Sequence, residues 1–463
     1  MAQANAARRM GVDIFDESRP MWKIFLVFLV PLMISNVLQS ASQTFSFIFL
    51  GRMIGVDALA AVSAVFPVVF LLFSFLIGIA SGSTVLIGQA YGAGEIHRVK
   101  KIAGTVLGST LIFAVFVAIV GTLVSPFMLA ALGTPATIIG QADIYTRVVF
   151  LTAPVLFPYL VYTTFLRGTG DSTTPLWFLI VSTVLSIALT PAFIRGWIGL
   201  PQLGVVSAAV AGVISQGVAF VALQVLLARR DSPLKLDLEM MRDMVPDLRI
   251  LWAVIRIGVA TGIQVVMVSL AEIAIISFVN HYGAKATAAY GAVNQIIAYV
   301  QFPAISIGIA ASIFGSQCIG RKREDKLGSV VRSAVTLNYI IGGVLIGICY
   351  AAAYPLLGMF VTDAPTVEIA HGLLMLTLWS YLLFGNSAVL SGVMRSSGVV
   401  LWPTINGVIG IILVEVPTAY LLMHVFGLRG VWMGYPLYYT FILCAQFIYY
   451  ELFWKKRTHE RLV

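Results

Sequence analysis

The sequence has few charged residues for its length. Only 11% of its 463 residues are Asp, Glu, Lys or Arg, and 59% are hydrophobic, whereas a soluble domain has about a quarter charged residues. This composition excludes an ordinary water-soluble globular protein. A net charge of +9 would suggest nucleic acid as a partner in a soluble protein. In an apolar chain the excess of Lys and Arg instead helps to set the orientation in the membrane, so we expect no nucleic-acid partner.

The residue patterns that support catalysis or metal binding are also missing. The three cysteines, Cys318, Cys349 and Cys444, stand singly in apolar runs, which indicates neither a disulfide framework nor a metal site. The glycine-rich stretch at residues 91–95 lacks the Lys-Ser/Thr of a phosphate-binding loop. No nucleophile stands with a credible base and orienting acid. We therefore expect no enzymatic activity, no metal and no cofactor apart from a transported proton or sodium ion.

Long apolar runs are what the sequence does have. Runs of about 18 or more apolar residues are long enough to cross a bilayer as helices, and we place twelve of them between residues 22 and 454. The first run, Ile24 to Leu50, is too long for a cleaved signal peptide. The sequence therefore predicts an all-α membrane protein with twelve transmembrane helices.

Lys and Arg are concentrated in every second connection between these runs. Cytoplasmic loops of membrane proteins carry an excess of these residues, so the asymmetry predicts a multi-pass protein of the inner (plasma) membrane with both termini in the cytoplasm. The opposite side retains only Arg52, Arg147, Arg195, Lys285 and Arg429. Among the residues that we place on the cytoplasmic side are Arg8, Arg9, Arg98, Lys100, Lys101, Arg229, Arg230, Arg321, Lys322, Arg323, Lys455 and Lys456.

The chain contains an internal repeat with an offset of 228 residues. Similar apolar composition could explain matching alanines, but it does not easily place loop residues in the same register. Internal repeats of this length indicate that the fold is built from similar units. The matching pairs include Gly55 and Gly283, Ala61 and Ala289, Gln89 and Gln317, Gly92 and Gly320, Arg167 and Arg395, Gly170 and Gly398, and Pro175 and Pro403.

Each repeat contains six predicted spans, so the two halves enter the membrane in the same sense. Parallel repeats of this kind are a transporter architecture, with the substrate site near the middle of the membrane. We predict an N-lobe at residues 1–228, a cytoplasmic linker at 229–251 and a C-lobe at 252–463. Two pseudo-symmetric six-helix bundles favour alternating access.

Several motifs resemble those of the multidrug and toxic compound extrusion (MATE) family. They are a Gly-Arg-x-x-Gly turn at Leu50–Gly55, a Gly-Gln-x-x-Gly element at Gly88–Gly94, the loops Leu166–Asp171 and Met394–Gly398, and the stretch Gly427–Trp432. The resemblance covers nearly the whole chain. It implies a MATE-like fold and efflux of amphipathic, often cationic, organic compounds, driven by inward movement of protons or sodium ions. The expected partners are small organic molecules and membrane lipid, and the expected state is a monomer.

The sequence departs from the family pattern in its first half. Many bacterial relatives have an Asp five residues before the Gly-Arg turn, where this chain has Ser46. They also have Asn and Asp on the fifth span, where this chain has Ser186 and Thr190. The resemblance therefore implies that the first half does not couple ions in the manner of those relatives.

Two acids remain inside the predicted spans of the second half, Glu272 and Glu415. A charge at the centre of a span costs at least about 2.5–3.5 kcal/mol on insertion scales, so such an acid indicates function. Loss of water disfavours an ionised carboxylate, which favours proton coupling, whereas sodium would need several hard oxygen ligands. We predict both residues to be ion-coupling residues. The alternative is that either one only bonds a neighbouring helix.

Polar side chains recur at helical spacing in three spans, the first, seventh and eighth, which predicts a lined cavity. Such residues also serve as contacts between helices in membranes, and that alternative stays open for each. The predicted substrate-binding residues are Gln39, Gln43, Gln264, Tyr290, Asn294 and Gln301.

These observations predict a secondary active efflux transporter. The main alternative is a flippase for lipid-linked saccharides, which would need cationic side chains deep in the cavity to hold pyrophosphate. Only Arg256 approaches such a position. A non-transporting receptor or scaffold is the third possibility, and the repeat and the intramembrane acids argue against it.

Overall fold

The computed structural model describes residues 11–462, so Arg8 and Arg9 lie outside the described residues. The secondary structure of this part is helical, and twelve helices are long and apolar enough to cross a membrane. Many large apolar side chains on them, such as Phe127 and Leu123, are exposed. A surface of this kind suits hydrocarbon and not water. The predicted twelve-helix fold class is therefore confirmed.

The helix bounds agree with the predicted spans to within several residues. A short helix, Leu238–Arg242, precedes the seventh span, and another, Ala353–Gly358, follows the ninth. The spans are α1 Met21–Met53, α2 Val56–Gly92, α3 Ile96–Ala131, α4 Ile139–Gly168, α5 Thr173–Arg195, α6 Ser207–Arg229, α7 Leu248–Asn280, α8 Ala284–Gly320, α9 Glu324–Ala351, α10 Ala364–Ser396, α11 Leu401–Phe426 and α12 Leu428–Trp454.

The internal repeat extends to the backbone. Gly55 and Gly283, which are 228 positions apart, immediately precede α2 and α8, with φ values of 131° and 90°. Gly170 and Gly398 follow α4 and α10, with φ values of 89° and 79°. Glycine is favoured at such positions because a side chain clashes with the backbone there. The repeated glycines are thus explained by two pairs of equivalent turns.

The contacts divide the chain into two compact units. Unit 1 contains Val30–Gly258, and unit 2 contains Ile14–Leu29 and Val259–Leu462. The first turns of α1 therefore belong to unit 2, and the first turns of α7 belong to unit 1. Each of these helices has 33 residues and is about 50 Å long, whereas the hydrocarbon core is about 30 Å thick. The lobe limits expected from the sequence stay a prediction.

The linker packs against the rest of unit 1. Leu234 and Met240 are buried, and the Tyr162 hydroxyl donates a hydrogen bond to the carbonyl of Leu234. The Lys100 ammonium on α3 lies 2.8 Å from an Asp237 carboxylate oxygen and 2.5 Å from one of Glu239. Apolar burial and ion pairs thus hold the linker on α3 and α4.

Candidate ion and substrate cavities

Unit 2 encloses a cavity of about 190 Å³, which we call the unit 2 cavity. Helices α7, α8, α10, α11 and α12 all contribute to its walls. Four of the polar residues singled out from the sequence line it, namely Gln264, Glu272, Gln301 and Glu415. The cavity therefore brings together both predicted acids and two of the predicted glutamines.

Contacts between α7 and α11 place the two acids at the same level. The Thr404 hydroxyl on α11 donates a hydrogen bond of 3.2 Å to the carbonyl of Ala260 on α7. One turn further on, a Cβ on Gly407 would lie 3.4 Å from the Gln264 amide nitrogen. The same register pairs Glu415 with Glu272. Parallel neighbouring helices that advance at the same rise keep such a register.

The two carboxylates differ in exposure. Glu415 is only 4% exposed, whereas Glu272 is exposed. Neither carboxylate forms a salt bridge with a residue of the described part of the chain. The cavity thus contains two acidic groups whose charge no cation among residues 11–462 neutralises by direct contact.

An irregular segment of α11 presents Glu415 to the cavity. Residues Ile411–Glu415 form a π-helical turn, followed by Pro417 in the next α-helical segment. Proline has no N–H group for the carbonyl four residues earlier, which relaxes the normal helical pattern here. Single π turns occur frequently at functional sites in helices.

Tyrosines from α12 form much of the remaining wall. Tyr435, Tyr438 and Tyr439 all line the unit 2 cavity. The Tyr435 hydroxyl lies 2.8 Å from that of Tyr290 on α8, with either group able to donate. Tyrosine combines an aromatic face that attracts cations with a hydroxyl that donates and accepts hydrogen bonds.

Besides the tyrosines, four further polar residues line the cavity but were not predicted from the sequence to do so. They are Ser387, Ser391 and Arg395 on α10 and Gln446 on α12. A spacing of four residues places Ser391 and Arg395 on one helix face, and Tyr435, Tyr438, Tyr439 and Gln446 likewise share a face of α12. A search of α10 and α12 for polar side chains at helical spacing, like the search that found Gln39 and Gln43 on α1, would have found both sets.

Unit 1 contains a smaller cavity of about 110 Å³, which we call the unit 1 cavity. Gln39 and Gln43 line it, together with Ser186 and Gln216. Its lining residues include no Asp, Glu, Lys or Arg. Ser46 and Thr190 donate hydrogen bonds to carbonyls of their own helices, at Ser42 and Ser186.

Two of the predicted substrate-binding residues line neither of these cavities. Tyr290 is buried behind Tyr435, and Asn294 lies one turn further along α8. Tyr290 contacts the wall of the unit 2 cavity through the Tyr435 hydroxyl. A binding role for all six residues, and an ion-coupling role for the two acids, stay predictions.

Comparison with known proteins agrees with this architecture. The MatE family model matches residues 31–192 and, a second time, residues 260–421. "Probable multidrug resistance protein YoeA" of Bacillus subtilis is 49% identical over 96% of this chain and 97% of its own length. "Multidrug export protein MepA" of Staphylococcus aureus is 24% identical over 90% of each chain.

The fold also matches solved structures. The MATE transporter VcmN of Vibrio cholerae superposes with a TM-score of 0.84 at 19% identity, over 97% of this chain and 98% of its own. This likeness concerns the fold. The two family matches confirm the internal repeat, and together with the YoeA relationship they confirm the resemblance seen in the motifs. The chain therefore belongs to the MatE family, the multidrug and toxic compound extrusion transporters.

Proposed function

We propose that this protein is a secondary active exporter that exchanges protons for amphipathic, often cationic, organic compounds by alternating access. Glu272 is the principal proton carrier and Glu415 assists it. Gln264 and Gln301 contact the substrate in unit 2, and Gln39 and Gln43 do so in unit 1. Tyr290 and Asn294 support the wall behind Tyr435.

The observation that carries this proposal is the pair of acids in one small cavity. Two negative charges that share one cavity repel each other, and removing the ionised Glu415 carboxylate from water is unfavourable. A proton or an organic cation relieves both effects, and the two compete for the same carboxylates. Loading of a proton from outside then releases the cation, and release of the proton inside restores the negative charge.

The neutral unit 1 cavity supports the assignment of coupling to unit 2. Its lining offers amide and hydroxyl groups among apolar side chains, as in pockets that orient small molecules. It offers no carboxylate to a proton or a metal ion. Ion coupling is therefore assigned to unit 2, whereas both units offer polar groups that can contact a substrate.

The relatives support multidrug export as the transported chemistry. The names of YoeA and MepA describe multidrug resistance and multidrug export, and the comparisons give no support to a lipid-linked saccharide flippase. The proposal needs no cofactor, and a monomer in the plasma membrane with both termini in the cytoplasm suffices for it. Protons are favoured over sodium ions because Glu415 is only 4% exposed, and loss of water favours the protonated form of a carboxylate.

Uptake of a fluorescent organic cation into inverted membrane vesicles tests this proposal. A proton gradient alone should drive uptake by the wild type, and a sodium gradient alone should not. Glu272→Gln removes the charge at nearly constant volume, so gradient-driven uptake should fall to the level measured after the gradient is collapsed. Glu415→Gln should reduce uptake less.

Glu368→Gln provides a matched control in the same unit. Glu368 lies near the start of α10, accepts a hydrogen bond of 3.2 Å from Tyr354 and does not line the unit 2 cavity. Its loss should leave uptake unchanged. Full proton-driven uptake by Glu272→Gln would refute the assigned carrier, and uptake driven by sodium alone would refute the coupling ion.

A further inference from the structure

We propose that the linker and the first turns of α7 bind anionic phospholipids of the cytoplasmic membrane leaflet. This surface lies outside both cavities, and its role does not depend on the coupling ion or on the transported compound. The linker is cytoplasmic in the predicted topology, so the leaflet that it meets is the inner one. We call the surface the linker face, and it consists of Leu238, Arg242, Val245, Leu248, Arg249 and Arg256.

The apolar side chains of the linker face are largely exposed. Leu238 is 78% exposed, Val245 is 75% exposed and Leu248 is 77% exposed. Leu238 and Val245 precede α7, so they do not belong to an apolar run that crosses the bilayer. Contact between apolar surface and water is unfavourable, and a group of exposed apolar residues marks an interaction site. The exposure therefore indicates a partner outside residues 11–462.

The other side of the linker holds its acids against α3. Asp237 and Glu239 both pair with Lys100, and Asp247 lies 2.7 Å from the Lys101 ammonium. These three carboxylates are therefore neutralised within unit 1. They leave the linker face with a positive charge.

Three arginines supply that positive charge. Arg242, Arg249 and Arg256 are exposed and form no ion pair within residues 11–462. Arg256 also lines neither cavity, so it gives no support to a pyrophosphate site inside the protein. A planar guanidinium matches a phosphate group with two parallel hydrogen bonds. The charge of the linker face thus complements an anionic headgroup.

The arginines lie at the depth where headgroups are found. α7 begins at Leu248, and Arg256 is eight residues further along the helix, which corresponds to about 12 Å. Long Arg side chains near the end of a span extend to the interface. Between them, Trp252 is 67% exposed, and tryptophan favours the level of the headgroups. The linker face therefore continues a surface that lipid already covers.

This continuity favours lipid over a soluble protein as the partner. Segments that combine exposed apolar residues with Arg or Lys lie in the plane of the membrane interface. Clusters of cationic residues on the cytoplasmic side of a span bind anionic lipids. The linker face has both properties and directly adjoins a span.

Retention of phospholipid by the purified full-length protein in detergent tests the linker face. The protein is offered equal amounts of dioleoyl phosphatidylglycerol, which is anionic, and dioleoyl phosphatidylcholine, which has no net charge. Bound lipid is counted by native mass spectrometry, and we expect the wild type to retain phosphatidylglycerol preferentially. The combined change Arg242→Gln, Arg249→Gln and Arg256→Gln should lower this preference at least about tenfold, because each Arg near an anionic surface strengthens association about fivefold.

A second triple variant is the matched control. Lys322→Gln, Lys456→Gln and Arg457→Gln remove three exposed cations from other predicted cytoplasmic segments, so the net charge changes by the same amount. This variant should keep the preference for phosphatidylglycerol.

A fluorescent label at Val245→Cys reports whether the linker face contacts a bilayer. The background is Cys444→Ala, because Cys318 and Cys349 are buried. In nanodiscs whose lipids carry bromine near the headgroup, the label should be quenched, and more strongly with phosphatidylglycerol than with phosphatidylcholine. The same label at Thr458→Cys, an exposed position in the C-terminal tail, should be quenched less.

Two results would overturn the inference. The first is an equal loss of lipid preference in both triple variants, since that would indicate a general attraction to net charge. The second is equal quenching at positions 245 and 458. The labelled protein retains all three arginines, so this second measurement is decisive even if the triple variant is unstable.

Discussion

Individual glycines set how closely the helices of unit 2 approach each other. Gly308 on α8 and Gly392 on α10 face each other, and a Cβ on Gly392 would overlap the carbonyl oxygen of Gly308. Small residues at such contacts let helices in membranes pack backbone against backbone. Since both glycines also line the unit 2 cavity, the contact fixes the distance between two of its walls.

Gly392→Ala should therefore destabilise the protein. Overpacking of a tight contact costs about 1–3 kcal/mol, and the neighbouring backbone cannot move aside as a flexible side chain would. The measurement is the melting temperature of the purified protein in detergent. Gly372→Ala is the control in the same helix, because a Cβ there meets nothing within 4 Å; equal melting temperatures for the two variants would contradict the close-contact explanation.

The sequence predicted some site residues better than others for a physical reason. An acid in an apolar run stands out because its burial is unfavourable, so Glu272 and Glu415 were found. Serine and tyrosine are common in membrane helices, so Ser391 and Tyr435 gave no comparable signal. Arg395 appeared to belong to a cytoplasmic loop, because its motif follows a span and a sequence does not show that the side chain reaches a cavity.

At the scale of elements, the linker helix Leu238–Arg242 is held by charge as well as by apolar burial. Burial alone would raise the pKa of Asp237, but hydrogen bonds from Lys100 and from the Met240 amide lower it below its ordinary value. Hydrogen bonds with Lys100 and His97 likewise lower the pKa of Glu239. The stability that these pairs contribute is complete above the ordinary carboxyl pKa values near 4 and is lost as the pH falls through the lowered values.

Lys100→Gln should loosen the linker at neutral pH, where both carboxylates are ionised. Lys100 is only 13% exposed and contacts two acids, so its loss leaves Asp237 without its main partner. Trypsin added to inverted vesicles should then cleave the linker, at residues such as Arg242, several times faster than in the wild type.

The adjacent Lys101→Gln is a matched control for this experiment. Lys101 is 45% exposed and, among the described residues, pairs with one acid, Asp247, and exposed ion pairs contribute about 0–1 kcal/mol. It also removes one potential trypsin site, as Lys100→Gln does. Similar cleavage rates for the two variants would show that the Lys100 contacts do not hold the linker.

The helices themselves were predictable, whereas their irregularities were not. Hydrophobic length alone located all twelve spans, because hydrocarbon forces every backbone group into a helix. The π-helical turns at Asn338–Gly342 and Ile411–Glu415 leave no such signal. At the first of these turns the Asn338 amide donates hydrogen bonds to Leu382 and Asn386 on a neighbouring helix, a contact that the local sequence does not reveal.

At the scale of the whole molecule, the distribution of Lys and Arg predicts the orientation of the chain. A reporter fused after Val463 should face the cytoplasm, so a fluorescent protein should mature and fluoresce in intact cells. Alkaline phosphatase at the same site should stay inactive, since it needs an oxidising compartment for its disulfides.

The same phosphatase fused in the connection between α1 and α2, near Arg52, should be active. That connection lies on the side opposite to both termini in the predicted topology. If the phosphatase were active after Val463 and inactive near Arg52, the orientation of the chain would be the reverse of the predicted one. Such a result would also exchange the inner and outer sides of the proposed transport cycle.

The two-fold internal repeat was visible in the sequence because equivalent turns demand equivalent glycines. The unequal distribution of acidic residues was visible in the sequence as well, since both acids inside the spans, Glu272 and Glu415, lie in the second half. What the sequence did not reveal is that Ile14–Leu29 packs with the second unit. Such contacts join residues that are hundreds of positions apart and have no common periodicity.

The π-helical turn before Pro417 has a consequence for how this family can diversify. Each residue of a helix turns it by about 100°, so the single surplus residue at Ile411–Glu415 sets the angular phase of α11. Deletion of one codon in this segment would rotate Glu415 and the helix after it relative to the helix before it, while leaving the hydrophobic length sufficient to span the bilayer. A gene could therefore turn this carboxylate away from the cavity in one mutational event without abandoning its architecture.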